Sequence, residues 1–126
     1  MGKKVISTKN APAAIGPYAQ GIDGGGTVYV SGQLPADPET GELAGEDIAS
    51  QTEQSLKNVQ AVLGEAGLTL GHVVKASVFL KDMGDFAGMN EVYARYFTEH
   101  CPARSAVQVA ALPKDALVEI EVIAVR

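Results

Sequence analysis

The chain has no tryptophan, one cysteine and two histidines, and aromatic residues fill only 6% of its 126 positions. A lone cysteine, Cys101, excludes an intrachain disulfide, which fits a reducing compartment and sets the expectation of a cytoplasmic protein. His72 and His100 lie far apart, and Cys101 beside the second gives no metal-ligand spacing, so no metal is expected. Lys and Arg number 10 against 15 Asp and Glu, a formal charge of −5, with the basic residues scattered. That argues against a nucleic-acid partner, which needs clustered cations. No stretch approaches the ~20 apolar residues of a membrane span, and Met1–Ser7 turns polar too soon for a signal peptide. What is present is a 46% apolar chain, 20% charged, with a core that must rest on Val, Ile, Leu and Ala. One domain over residues 1–126 is the expectation.

The apolar patterning predicts strands and two helices. Short strands are expected at Lys4–Ser7 and Tyr18–Asp23, separated by an irregular loop, Asn10–Pro17, that holds Pro12, Gly16 and Pro17. Asp23-Gly24-Gly25-Gly26 reads as a hairpin turn into a strand over Thr27–Gln33. A helix is predicted over Asp47–Ala66, N-capped by Asp47 and closed at Gly67. Ile48, Thr52, Leu56, Val59 and Leu63 form its buried stripe; Gln51, Gln54 and Asn58 are placed toward solvent. The strand His72–Asp82 sets Val74, Ala76, Val78 and Leu80 on one face and Val73, Lys75, Ser77 and Phe79 on the other. A second helix is predicted over Asp85–Glu99, capped by Asp85, with Phe86, Met89, Tyr93, Tyr96 and Phe97 on its apolar side. A strand over Pro102–Val109, a turn at Leu112–Asp115 and a last strand over Leu117–Val125 complete the chain. This order predicts an α+β, two-layer sandwich with two helices on one face of a mixed sheet. Tyr29, Phe79, Ile123 and Val125 fall on the other face, which has no layer to cover it, so self-association is expected.

Candidate chemistry sits at few positions. Arg104 lies on a strand among small neighbours, Ala103, Ser105 and Ala106, that cannot crowd its guanidinium. Such a fork grips a carboxylate through two parallel hydrogen bonds; a surface ion pair is the plainer alternative. Glu119 and Glu121 share a strand face with apolar residues, where one acid at a pocket edge can handle a proton or a water. Tyr18 follows the stiff Gly16-Pro17 pair, and Ser31 precedes Gly32, a strand glycine of the kind that marks close approach. Asn90, four residues after Phe86, borders the second helix's apolar stripe. Ser31 lacks a nucleophile elbow, and the Gly24–Gly26 run lacks a P-loop lysine.

Four segments in order resemble one family: Asn10-Ala-Pro-Ala-Ala-Ile-Gly-Pro-Tyr18, Ser31-Gly-Gln-Leu-Pro35, Pro102-Ala-Arg-Ser105, and Glu119-Ile-Glu121 with Ile123-Ala-Val125. Together they are similar to the RidA/YjgF family of reactive intermediate (enamine/imine) deaminases. The resemblance implies a chorismate-mutase-like six-stranded fold. It implies a homotrimer around a central β-barrel, with pockets between subunits. It also implies hydrolysis of 2-imino acids, such as 2-iminobutanoate and 2-iminopropanoate, to 2-oxo acids and ammonia, with no cofactor. Arg104 is then the residue that binds the substrate carboxylate, Glu119 the one that positions or activates water, and Tyr18, Ser31, Gly32 and Asn90 further pocket positions. Two departures stand out: Ala106 occupies a position where many bacterial members carry cysteine, and the Glu99-His100-Cys101 loop is short. The alternatives are a non-catalytic trimeric module that binds 2-oxo acids or acts like a chaperone and, least favoured, a ribonuclease or translation inhibitor.

Overall fold

Alternation of apolar and polar residues along Val118–Val125 buries Val118, Ile120, Val122 and Ala124 and leaves Glu119, Glu121, Ile123 and Val125 on the far side. This segment, β6, lies inside a six-stranded sheet. A computed structural model describes residues 2–126. In chain order its elements are β1 (Lys4–Ile6), β2 (Gly21–Asp23), β3 (Thr27–Gln33), α1 (Ile48–Glu65), β4 (Val73–Leu80), α2 (Phe86–Tyr96), β5 (Ala103–Gln108) and β6. The sheet order is β1-β2-β3-β6-β4-β5; β4 and β5 are parallel and every other neighbouring pair is antiparallel.

Both helices are crossover connections. β3 and β4 each run antiparallel to β6, so α1 joins two parallel strands, as α2 joins β4 to β5. Both crossovers step the same way along the sheet, and crossovers of one hand put both helices on one face. The core lies there, with Leu56, Val59 and Leu63 of α1 and Met89 and Val92 of α2 against Val28, Val78, Ile120 and Val122. The α+β architecture with two helices and a mixed six-stranded sheet is as expected. On the opposite face Tyr29 stays 49% exposed and Val125 39%, with Phe79 and Ile123 half-buried beside them.

The helix ends follow their capping residues. Asp47 accepts from the Ser50 amide at 3.0 Å. Gly67, at φ 78°, closes α1 with Gly67 N donating to Gly64 O and Leu68 N to Leu63 O. Four expectations are corrected. Asp85 makes no side-chain cap; Asp82 accepts from Gly84 N at 2.7 Å and caps a single 3₁₀ turn, Met83–Asp85, that leads into α2. That helix stops at Tyr96, not Glu99, because Phe97 leaves helical geometry to stack on Tyr93 at 4.6 Å. Val73 is buried and Val74 exposed, the reverse of the alternation, because a bulge between Val73 and Lys75 shifts the register against β6. Tyr18 lies outside β2, in the loop before it.

Candidate active site

The β3–β6 ladder breaks where the first site residues sit. Val30 faces Val122 but Gln33 faces Ile120, so β3 takes three steps for two of β6, and Ser31 and Gly32 occupy the bulge. Ser31 turns to the loop before β2: its hydroxyl donates to Ala19 O at 2.6 Å and its amide to Gln20 O at 2.9 Å. This ties down the segment that carries Tyr18, whose phenol oxygen accepts from Ile15 N at 3.4 Å. Gln20, buried, organises the rest of that loop. Its amide nitrogen donates among the carbonyls of Thr8, Ala11 and Pro12 at 2.7–3.2 Å, and its oxygen accepts from Thr8 N at 2.7 Å.

Glu119 lies over the bulge. Its Cδ is 2.9 Å and its Cγ 3.2 Å from where a Cβ on residue 32 would stand. The space expected to admit a ligand at Gly32 is thus filled by the protein's own carboxylate. Burial holds the Glu119 carboxyl above the usual carboxylate range, and the charge of Glu121 pushes it further the same way. A cleft of about 810 Å³ opens in front, lined by Tyr18, Ser31, Gly32, Glu119, Glu121 and Lys114 among others. Lys114, in the left-handed region at φ 61°, donates to Gly41 O at 2.6 Å and pins the loop on the cleft's far side.

That loop is also held from α1, by two residues expected in solvent. Asn58 is fully buried; it donates to Leu34 O and Ala36 O, both at 3.0 Å, and accepts from Gln54 at 2.9 Å. Gln51 donates to Gly45 O at 3.0 Å and accepts from Leu117 N at 2.8 Å. The signal was in the spacing: Gln51, Ser55, Asn58 and Val62 form a helical stripe beside the apolar one, and all four are buried.

Arg104 and Asn90 form a second cluster. Arg104 Nη1 donates to Asn90 Oδ1 at 2.7 Å. The guanidinium carbon lies 4.7 Å from the Tyr93 ring centre and 5.6 Å from that of Phe86. Residues 86, 90 and 93 share one face of α2, so a single helix supplies the whole cradle. Sequence reasoning placed Phe86 and Tyr93 only in the core. The Tyr93 hydroxyl is buried without a hydrogen-bond partner among the described residues, and desolvation raises its pKa against the pull of Arg104. Cys101 is exposed and donates to Phe97 O at 3.4 Å; His72 accepts from Thr69 N at 3.0 Å in a capping box.

One chain does not bring the two clusters together. Arg104 pairs with Ala76 and Ala106 with Val78, on the face that α2 covers. Glu119 pairs with Phe79, on the uncovered face. Tyr18, Ser31, Gly32 and Glu119 therefore share one cleft, while Arg104 and Asn90 lie on the other side of the sheet.

A fixed cation on one face and a perturbed carboxylate in a cleft on the other, on this two-helix sheet, define a class of small α+β protein with a polar cluster on each side of one sheet. The chain belongs to the RidA/YjgF family: the family model described as endoribonuclease L-PSP matches residues 8–126. The chain is similar to the 2-iminobutanoate/2-iminopropanoate deaminase of Salmonella typhimurium, at 57% identity over 98% of each chain. It is also similar to the YjgF gene product of E. coli, at 56% identity over 98% of each chain with a TM-score of 0.93. E. coli TdcF with bound serine superposes with a TM-score of 0.93, at 52% identity and 98% coverage of each chain.

Proposed function

We propose that this chain is a cytoplasmic 2-iminobutanoate/2-iminopropanoate deaminase that works as a homotrimer around a central barrel, with sites built between protomers. The observation that carries the reading is the placement of two chemically complementary half-sites on opposite faces of one sheet. The exposed Tyr29 and Val125, with the half-buried Phe79 and Ile123, supply an apolar face for assembly. Relatives similar over nearly the whole chain bear the deaminase name, and a related structure holds serine, an amino acid with the carboxylate that such a site must grip.

In this reading Arg104 takes the substrate carboxylate through two hydrogen bonds, its fork held flat by Tyr93 and Phe86 and steered by Asn90. The C=N carbon then lies over the neighbouring protomer's Glu119. Glu119 accepts a proton from water as the water oxygen bonds to that carbon, giving a carbinolamine. Glu119 hands that proton to the nitrogen and takes the proton of the new hydroxyl as the C=O bond forms and the C–N bond breaks; the 2-oxo acid and ammonia leave, and the proton follows as ammonium. A raised pKa makes Glu119 a stronger base for the first transfer and lets it hold the proton for the second. An imine carbon is electrophilic already, so the chemistry asks for no covalent intermediate. Tyr18 borders the cleft, and Ser31 holds the segment that carries it.

The test is direct. Threonine dehydratase generates 2-iminobutanoate, and its loss is followed with and without the protein. Faster loss, removed by Arg104→Ala in an intact oligomer, is expected; an unchanged rate with the wild-type chain refutes the proposal. The family description favours a second reading, endoribonuclease. The charge of −5 and the use of His72 in a cap weigh against it, and RNA left intact under the same conditions eliminates it.

A further inference from the structure

We infer that Gly32 is a positioning residue for Glu119: its missing Cβ is the seat in which the carboxylate is held at the cleft floor. The inference deepens the deaminase reading and rests on it for its kinetic part.

A glycine inside a strand commonly serves an unusual backbone angle or the close approach of another backbone or core side chain, and neither holds at position 32. The backbone does not require one, since Gly32 is not among the glycines with positive φ. Nor does the fold press another backbone or core side chain against it. Gly21 shows what that looks like: a Cβ there would meet Val62 Cγ1 at 2.8 Å and the Tyr29 carbonyl at 3.1 Å. At Gly32 the three nearest heavy atoms are Oε2, Cδ and Cγ of Glu119, and Oε2 occupies the Cβ volume outright. The bulge in β3 brings Gly32 under the side chain, and the pairing of Glu119 with Phe79 fixes its other flank. The seat withdraws the carboxylate from water, and burial raises its pKa accordingly. Glu121 on the same strand face, with Lys114, Glu39 and Tyr18 around the cleft, are the other titratable groups that face it.

Alanine at position 32 suits the strand, and the three atoms nearest its Cβ all belong to one flexible side chain, that of Glu119. It therefore expels the carboxylate and leaves the fold. The experiment compares wild type, Gly32→Ala, Glu119→Gln and the double variant for imine turnover and for 2-oxobutanoate binding. Glu119 is titrated by carboxyl ¹³C resonance in wild type and Gly32→Ala. Expected are matching losses in kcat, on the order of 10²-fold, for both single variants. The double variant is expected to be no worse than either, because both lesions remove one function. The Glu119 midpoint in Gly32→Ala is expected to fall toward the ordinary carboxylate value. Multiplying losses, or a midpoint that does not move, overturn the inference. A wild-type midpoint at or below the ordinary value overturns it even where Gly32→Ala fails to assemble. A wild-type chain without turnover sinks the deaminase reading instead, and the titration alone then decides the seat.

Discussion

Two inactive variants of this protein should restore each other. In the mechanism proposed above, Arg104→Ala removes the carboxylate grip, and Glu119→Gln removes the proton acceptor. Within one chain these residues lie on opposite faces of the sheet, on β5 and β6 with β4 between them. In the assembly we propose, a working site therefore draws its arginine from one protomer and its glutamate from the next. Equal amounts of the two variants, co-expressed, assemble at random. A site is intact when its arginine comes from the Glu119→Gln chain and its glutamate from the Arg104→Ala chain, which occurs in about one site in four. Each lesion alone costs on the order of 10²-fold, so the parents contribute about 1% and the recovered quarter stands well above them. At other mixing ratios the recovery follows f(1 − f), with a maximum at equal proportions. The assay is loss of 2-iminobutanoate by the whole co-expressed population, whose mixing is verified by capture through two different affinity tags. Activity no greater than the mean of the parents would place both residues in a site made by one chain and refute the reasoning.

Three further outcomes follow from the geometry. Asn58→Ala leaves the Leu34 and Ala36 carbonyls unpaired and should destabilise the protein by about 2–4 kcal/mol in urea unfolding; a loss under about 0.5 kcal/mol would show that water replaces the amide. Tyr93→Phe removes a buried hydroxyl without a partner and should leave unfolding stability equal or higher by about 1 kcal/mol, whereas Tyr93→Leu removes the stack and should weaken 2-oxobutanoate binding about tenfold; equal binding in the leucine variant speaks against the cradle. Glu119 has its folded pKa above its unfolded value, so its contribution to stability is full below the unfolded pKa and is lost as pH rises through the folded one. Glu119→Gln, with no charge to bury, should therefore gain in Tm on the wild type as pH rises from about 4 to 8; parallel Tm curves would contradict the sign.

The periodic parts of the chain were readable as they stand. Thr27–Gln33 has its observed bounds, and Asp47 and Gly67 close α1 as their residue types require. Local patterning misled where a register slipped. Nothing in the run Val73-Val74-Lys75 announces a bulge, which arises from pairing with β6, so the inward valine was misassigned. The polar amides misled for a different reason. Gln51 and Asn58 look like solvated helix residues until the partners they satisfy, carbonyls of a loop more than twenty residues away for Asn58, are known. Arg104, Asn90 and Glu119 could be picked from residue type and resemblance. Their division between two faces could not, because it depends on the parallel pairing of β5 with β4 and of β4 with β6 in the opposite sense.

That division also ties chemistry to dilution. In the assembly we propose, separating the protomers would leave every chain folded and every reactive group intact, yet silence all of them at once. Rate per chain would then climb with protein concentration before reaching a plateau, and the midpoint of that climb would report the affinity of subunit for subunit without any spectroscopic probe.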